Sequence, residues 1–248
     1  MLKGFYNLTS GMLTQGKRLD VISNNMTNIT TPGFKSDQFL SQTFGDVLWS
    51  RVGSRGRQYA QIGRQSYITA PSKLYTDFTQ GGFDETEMPL DFAIEGDGFF
   101  GVQTDHGIEY TRDGSFSLDD EGYLCLAGQG RVLDPTGKEI MLNTDKITAD
   151  NYGGIYGKDG GFLGKIGVYA FEDNSKLIKN AHGLFTSNTG PHAADAKIHN
   201  GYTEHANIDL VQQMTSMMAA QRAYQSAAQL TTMYDALMTK ATTEIGRL

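Results

Sequence analysis

The chain holds one cysteine in 248 residues, Cys125, so no disulfide forms within it and no thiolate cluster holds a metal. Proline is scarce at five and tryptophan appears once. No apolar run approaches the roughly 18 residues of a membrane-spanning helix, so direct membrane insertion is not expected. Charged residues make up only 20%, and acids outnumber bases 28 to 21, for a formal net charge of −7. A sequence-blind nucleic-acid binder needs a basic face, and that class is excluded. No secretory signal peptide is visible at the N-terminus, because Asn7, Thr9, Ser10 and Gln15 interrupt any apolar stretch after Lys3.

The signatures of chemistry are missing as well. The stretch Gly157-Lys158-Asp159-Gly160-Gly161-Phe162-Leu163-Gly164 lacks the lysine–hydroxyl pair of a phosphate-binding loop and reads as a turn between strands. His106, His182, His192, His199 and His205 never fall at zinc-binding spacing. There is no nucleophile elbow. Asp119-Asp120-Glu121-Gly122 lacks the 12-residue ligand pattern of a calcium loop and reads as a solvated turn. Cys125, in an apparent strand from Tyr123 to Leu126, reads as a small buried side chain. No catalytic residue, cofactor site or metal site is expected.

What is present is unevenly placed. Of 30 glycines, 21 fall between Gly81 and Gly201, while Tyr202 to Ile245 contains neither glycine nor proline. Residues 1–60 carry a charge of +4, 61–204 carry −11 and 205–248 carry none, which sums to −7. The expected division is an N-terminal helix and Pro-Gly turn over 1–44, an extended or irregular connection over 45–80, an acidic glycine-rich β-domain over 81–201 and a C-terminal helix over 202–248.

At the N-terminus, Met1, Phe5, Leu8, Met12, Leu19, Ile22, Met26 and Ile29 recur at alternating spacings of four and three, with Gln15 filling the one gap. That is a heptad seam, the pattern of a helix lying along another helix. Pro32-Gly33 is the expected stop. Gly4, Gly11 and Gly16 weaken the segment, so the isolated arm is expected to be marginal. At the other end, Leu210, Met214, Met217, Tyr224, Ala227, Leu230, Tyr234, Leu237, Ala241 and Leu248 keep a similar period. Asn207 is the expected N-cap, and about 40 helical residues would span roughly 60 Å. Methionine, alanine and tyrosine outnumber leucine on this seam, which suits a surface meant for several neighbours. Between the ends, turn signals at Gly96-Asp97-Gly98, Asp113-Gly114, Glu121-Gly122, Thr136-Gly137 and Asp159-Gly160 separate short apolar runs, as in hairpins. Ile108, Tyr110, Phe116, Leu118, Tyr123 and Leu126 support strand alternation there. The expected fold class is α+β, with long N- and C-terminal helices pairing as a coiled-coil-like bundle and a central β-rich domain. Arg51, Arg55, Arg57 and Arg64 form a basic patch that suits either an acidic neighbour or plain solvent.

Three blocks go further than composition. In Ile22 to Lys35, Asn24, Asn25 and Asn28 lead into Thr31-Pro32-Gly33-Phe34-Lys35, which resembles the N-terminal signature of bacterial flagellar rod and hook proteins. Pro89 to Phe100, with Gly96, Gly98, Phe99 and Phe100, is similar to the start of that family's β-domain, and the likeness continues through Arg112 and Gly114 to Phe116. Asn207 to Val211, followed by Met214, Met217, Gln221, Arg222 and Tyr224, resembles the family's C-terminal helix. Phe78 to Gly82 fits too. Thr27 stands where a small alanine is usual, Gln225-Ser226-Ala227 replaces a glutamate-containing continuation, and residues 140–200 carry no family motif.

The resemblance implies a structural subunit of the rod, of middle or distal type, polymerising through its terminal helices into the tubular drive shaft between basal body and hook. The assembly seam would be Leu8, Met12, Leu19, Ile22, Met26 and Ile29 with Leu210, Met214, Met217, Tyr224, Leu230 and Leu237. Partners would be copies of itself, other flagellar rod and hook proteins and the flagellar type III export apparatus, with a location in the basal body outside the cytoplasmic membrane after export. A hook-type subunit is the alternative within the family, disfavoured by length because hook proteins carry larger insertions. A secreted β-rich binding module, with helices closing only its own core, is the alternative outside it.

Overall fold

The structure, a computed structural model, describes residues 2–52, 59–180, 182–187, 189–194 and 196–246. The fold is α+β, with a helix at each end and β-structure between. The chain forms two compact units, one made of residues 1–26, 37–75 and 209–248 and the other of 27–36 and 76–208.

In the first unit, α1 spans Leu2–Thr27. Ile22 is buried, and Leu8, Met12, Gln15, Leu19 and Met26 are half-buried, which keeps the four-three spacing as one continuous stripe. Met1 lies outside the described residues. The helix stops before Pro32-Gly33 because asparagine and threonine offer the backbone other partners. The Thr31 amide reaches the Asn28 carbonyl at 3.1 Å and the Thr31 hydroxyl reaches Asn28 Oδ1 at 3.3 Å, closing a turn. Ile29 therefore sits in that turn, not on the helical seam where its spacing placed it.

β1 (Asp37–Val52) and β2 (Tyr59–Thr76) form a two-stranded sheet, so the described part of the expected connection is strand as far as Thr76. Arg55 and Arg57 of the basic patch lie outside the described residues, as do the side chains of Arg51 and Arg64. The C-terminal helix, α2, spans Leu210–Ile245, 36 residues or about 54 Å. Its cap is Asp209, whose Oδ1 accepts from the amides of Val211 at 2.9 Å and Gln212 at 3.1 Å. Asn207 does not cap it, because that side chain is engaged elsewhere. The helix also starts later than residue 202, since Tyr202–Glu204 is a strand.

The second unit begins its β-structure with β3 (Phe83–Glu85), β4 (Phe92–Glu95), β5 (Phe99–Thr104) and β6 (Gly107–Thr111). β5 and β6 form an antiparallel hairpin at the centre of the largest sheet among the described residues, pairing Phe100 with Thr111 and Gly101 with Tyr110. Strands Gly130–Val132, Leu124–Leu126 and Phe116–Leu118 extend that sheet beyond β5, and Phe185–Thr186 and Ile178–Lys179 extend it beyond β6. Inside lie Phe92, Phe100, Val102, Leu124, Val132 and Ile155, all fully buried. A second cluster gathers Phe99, Tyr110, Tyr169 and Phe185, with Phe78 packed against it. Of the expected alternation, Tyr110, Phe116 and Leu126 face inward while Ile108 is exposed. Cys125 is half-buried, its Sγ 3.4 Å from Ser117 Oγ.

Two further antiparallel ladders join distant parts of the chain. β4 pairs with Lys197–Asn200, and β3 pairs with Tyr202–Glu204 in the register Glu204 opposite Phe83. The chain just before α2 is thereby pinned against residues more than a hundred positions earlier.

Candidate functional site

The Thr31-Pro32-Gly33-Phe34-Lys35 turn lies in the second unit and supplies one side of a buried polar node. Gly33 takes a left-handed φ of +65°, and a Cβ there would collide with the backbone of Arg112 and Asp113, so the position requires glycine. Its amide donates to the Glu204 carbonyl at 2.7 Å. Phe34 is buried beneath Lys179, whose Nζ lies 3.7 Å from the ring centroid and donates to the Lys35 carbonyl at 2.7 Å.

Lys35 turns inward. Its Nζ meets Glu204 Oε1 at 2.6 Å and the Thr79 carbonyl at 2.8 Å. The other oxygen of Glu204 accepts from Arg112 Nη1 at 3.2 Å, and Arg112 Nη2 reaches the Gly96 carbonyl at 2.7 Å. The Gly81 amide adds a third donor to the Glu204 carboxylate, reaching Oε1 at 3.0 Å. Gly81 has no room for a side chain, since a Cβ would strike the His205 carbonyl. Lys35 and Glu204 are each 1% exposed and Arg112 is 4% exposed.

Two cations thus share one carboxylate away from water. Burial pushes Lys35 below the ordinary lysine range, and the attraction of Glu204 only partly offsets it. Arg112 is lowered for the same reason, again opposed by Glu204. Asn207 closes the node. Its Oδ1 accepts the Ser36 amide at 2.7 Å, its Nδ2 donates to the carbonyls of Asp77 at 2.7 Å and Thr79 at 3.2 Å, and its own amide reaches the Phe34 carbonyl at 3.4 Å.

Other motif residues serve the surrounding β-structure. Phe99 and Phe100 enter the two core clusters, and Gly98 leaves space for Val168. Gly114 is buried against the Phe92 carbonyl. Asn25, in the first unit, is 2% exposed and grips Asp37 with both ends of its amide, donating to the carbonyl at 2.8 Å and accepting the amide at 3.0 Å. Asn24 is exposed, and so are Gln221 and Arg222.

The seam residues fall into two groups. Leu8, Met12, Leu19, Ile22, Met26 and Met217 are buried or half-buried, whereas Leu210, Met214, Tyr224, Leu230 and Leu237 are exposed, Leu237 to 65%. The sheltered stripe on α2 is instead Gln213, Met217, Ala220, Ala227, Thr231, Tyr234, Met238 and Ala241. Thr231 Oγ1 lies 3.6 Å from Met12 Sδ, Gly16 faces the Tyr224 ring and Gly4 faces the Tyr234 ring.

The acidic turn at Asp119 is more than solvated. Arg131 reaches Asp119 at 2.9 Å, Glu121 at 2.7 Å and Glu139 at 2.9 Å, with its guanidinium over the Tyr123 ring. Among the described residues no group of three or more His, Cys, Asp or Glu is placed to hold a metal ion. The part of the node that the sequence did not disclose is Glu204, which no local pattern separates from the other 21 acids of residues 61–204.

Among the described residues the node presents no nucleophile poised beside a base; its carboxylate, ammonium and amide groups bond to one another and to backbone, while Arg112 Nε is buried with no hydrogen-bond partner. What it can do is hold three chain segments together, 33–36, 77–81 and 204–207. That is the chemistry of a structural protein. Three family profiles match the chain: "Flagella basal body rod protein" over residues 5–35, "Flagellar hook protein FlgE/F/G D1 domain" over 93–160 and "Flagellar basal body rod FlgEFG protein C-terminal" over 199–244. Similar curated proteins include the flagellar basal-body rod protein FlgF of Caulobacter vibrioides, 31% identical with 96% of each chain covered. The rod protein FlgG of Bacillus subtilis is 30% identical over 96% of this chain and 97% of its own. The flagellar hook-basal body complex protein FlhO of the same organism is 29% identical over the whole of both chains. The chain belongs to the flagellar basal-body rod protein family, a structural and non-enzymatic family. Among the described residues, no helix is long and apolar enough to cross a membrane.

Proposed function

We propose that this chain is laid down as a subunit of the flagellar rod, of middle or distal type, and that it polymerises through its two terminal helices. The observation that carries the reading is the exposure of large apolar side chains along α2: Leu210 and Met214 near its start, and Leu230 and Leu237 farther along on the other side, stand in solvent on a 36-residue helix. Burying a leucine or methionine side chain contributes about 1.5–3 kcal/mol, so these side chains gain most when copies of the chain or other rod and hook proteins cover them. Contacts between α1 and α2 at Met12–Thr231, Gly16–Tyr224 and Gly4–Tyr234 support coiled-coil-like pairing within a subunit. These contacts run in opposite chain directions, as antiparallel helices require. The seam Leu8, Met12, Leu19, Ile22 and Met26 then serves the subunit's own helix pair, and Leu210, Met214, Leu230 and Leu237 serve its neighbours. Passage through the flagellar type III export apparatus belongs to the same proposal, supported by the marginal stability expected of the glycine-weakened N-terminal arm.

The test is sedimentation of purified protein under polymerising conditions. Leu230→Asp with Leu237→Asp is expected to abolish pelleting while the unfolding of the β-rich unit stays unchanged. Undiminished pelleting would show that polymerisation does not run through Leu230 and Leu237, and a protein that stays monomeric before and after the change would instead favour a binding module whose helices close only its own core.

A further inference from the structure

Each of the four residues 33–36 is bonded to one of two residues far downstream. Gly33 donates to the Glu204 carbonyl, Phe34 accepts from the Asn207 amide, Lys35 pairs with the Glu204 carboxylate and Ser36 donates to the Asn207 side chain. The Lys35–Glu204 pair spans 169 positions. Without Glu204, docking the turn would bury the Lys35 ammonium beside the Arg112 guanidinium, a like charge. Asp77 is the remaining attraction on Lys35, and it is weaker than that of Glu204. A buried cation with no partner is strongly disfavoured. By contrast, the β5–β6 hairpin closes within 13 residues, from Phe99 to Thr111, and needs neither chain end.

From this asymmetry we infer that the node is a completion latch: the 33–36 turn stays undocked until residues 204–207 arrive, and both segments then dock within the second unit in one step. One carboxylate serves as the key, because it neutralises Lys35 and Arg112 together and the backbone carbonyl of the same residue also holds Gly33. Residues 204–207 lie near the end of the second unit's chain, so the turn does not dock on an incomplete chain.

The test is hydrogen exchange on the full-length chain. In pulse-labelled refolding, the amides of Gly33, Ser36, Gly81 and Asn207 are expected to gain protection in a single phase, after those of the β5–β6 hairpin. In the native protein, Glu204→Gln is expected to speed exchange at Gly33 and Ser36 by at least about 100-fold, with the β5–β6 amides unchanged. These two amides are diagnostic, because their acceptors, the Glu204 carbonyl and Asn207 Oδ1, survive the substitution. Should Glu204→Gln fail to fold, Asn207→Ala tests the same unit without altering charge, with Gly33 and Gly81 as reporters. The latch is overturned if Gly33 and Ser36 become protected before Asn207 or together with β5–β6. It is equally overturned if the substitutions leave Gly33 at its native rate, or raise exchange evenly through the hairpin.

Discussion

Gly33 shows how much one residue of the Thr-Pro-Gly-Phe-Lys turn carries. Its left-handed φ and the nearby Arg112 and Asp113 backbone leave no place for a methyl group. Gly33→Ala is expected to lower stability by more than about 2 kcal/mol, read as a shift in the urea midpoint. The three charges of the node are not equivalent. Glu204→Gln leaves Lys35 and Arg112 buried with only the weaker attractions of Asp77 and Asp97 and should cost the docking of the 33–36 turn about 3–5 kcal/mol. Lys35→Met leaves the Arg112–Glu204 pair intact, and the Thr79 carbonyl keeps its bond from Asn207, so a smaller loss is expected. Native-state hydrogen exchange at Gly33 in the two variants side by side checks the order; a larger acceleration in Lys35→Met would show that the lysine, not the shared carboxylate, dominates the node. The motif residues of the turn were legible in the sequence as a signature. Their partner Glu204 was not, because a carboxylate becomes a key only when folding brings it to a cation 169 positions away.

At the scale of the element, the helices were legible as periodicity and their ends were not. The four-three spacing of α1 reappears as its sheltered stripe, while its stop moved back to Thr27 because Asn28 and Thr31 bond to each other. The cap of α2 passed from Asn207 to Asp209 for a related reason: the Asn207 side chain is spent on the Ser36 amide, the carbonyls of Asp77 and Thr79 and the Thr79 hydroxyl. Gly11 offers a contrast to Gly33. Nothing lies within 4 Å of where its Cβ would stand, and it sits in the middle of a helix. Gly11→Ala is therefore expected to stabilise α1 by about 0.4–1 kcal/mol, seen as higher helicity and a raised melting temperature by circular dichroism.

For the whole molecule, acid should be the weakening direction. Asp119 is held below the usual carboxylate range chiefly by the Tyr123 amide, with Arg131 and the Glu121 amide helping. Asp173 is lowered by the hydroxyl and amide of Ser175. In Asp134 burial pulls upward, but the amides of Lys138 and Thr136 outweigh it and the carboxyl is again lowered. A depressed carboxylate contributes stability above its ordinary value of 3.8 that disappears as pH falls through its folded value. Asp113 acts in the opposite sense. Burial raises it, so its contribution is present below 3.8 and is lost as pH rises through its folded value. Glu95 and Asp150 are lowered as well, so with five carboxylates against one the urea midpoint is expected to hold near neutrality and fall below about pH 4. A midpoint that rose on acidification would show that Asp113 dominates.

The α+β division, the stripe of α1 and the flagellar rod signature could all be read from the order of residues, because periodicity, turn chemistry and short motifs are local properties that neighbours in the chain settle among themselves. The meeting of 33–36 with 204–207, the choice of Glu204 among many acids and the exposure of the large apolar side chains of α2 were decided only by tertiary structure. These depend on which distant groups share a space from which water is excluded, and no local pattern encodes that.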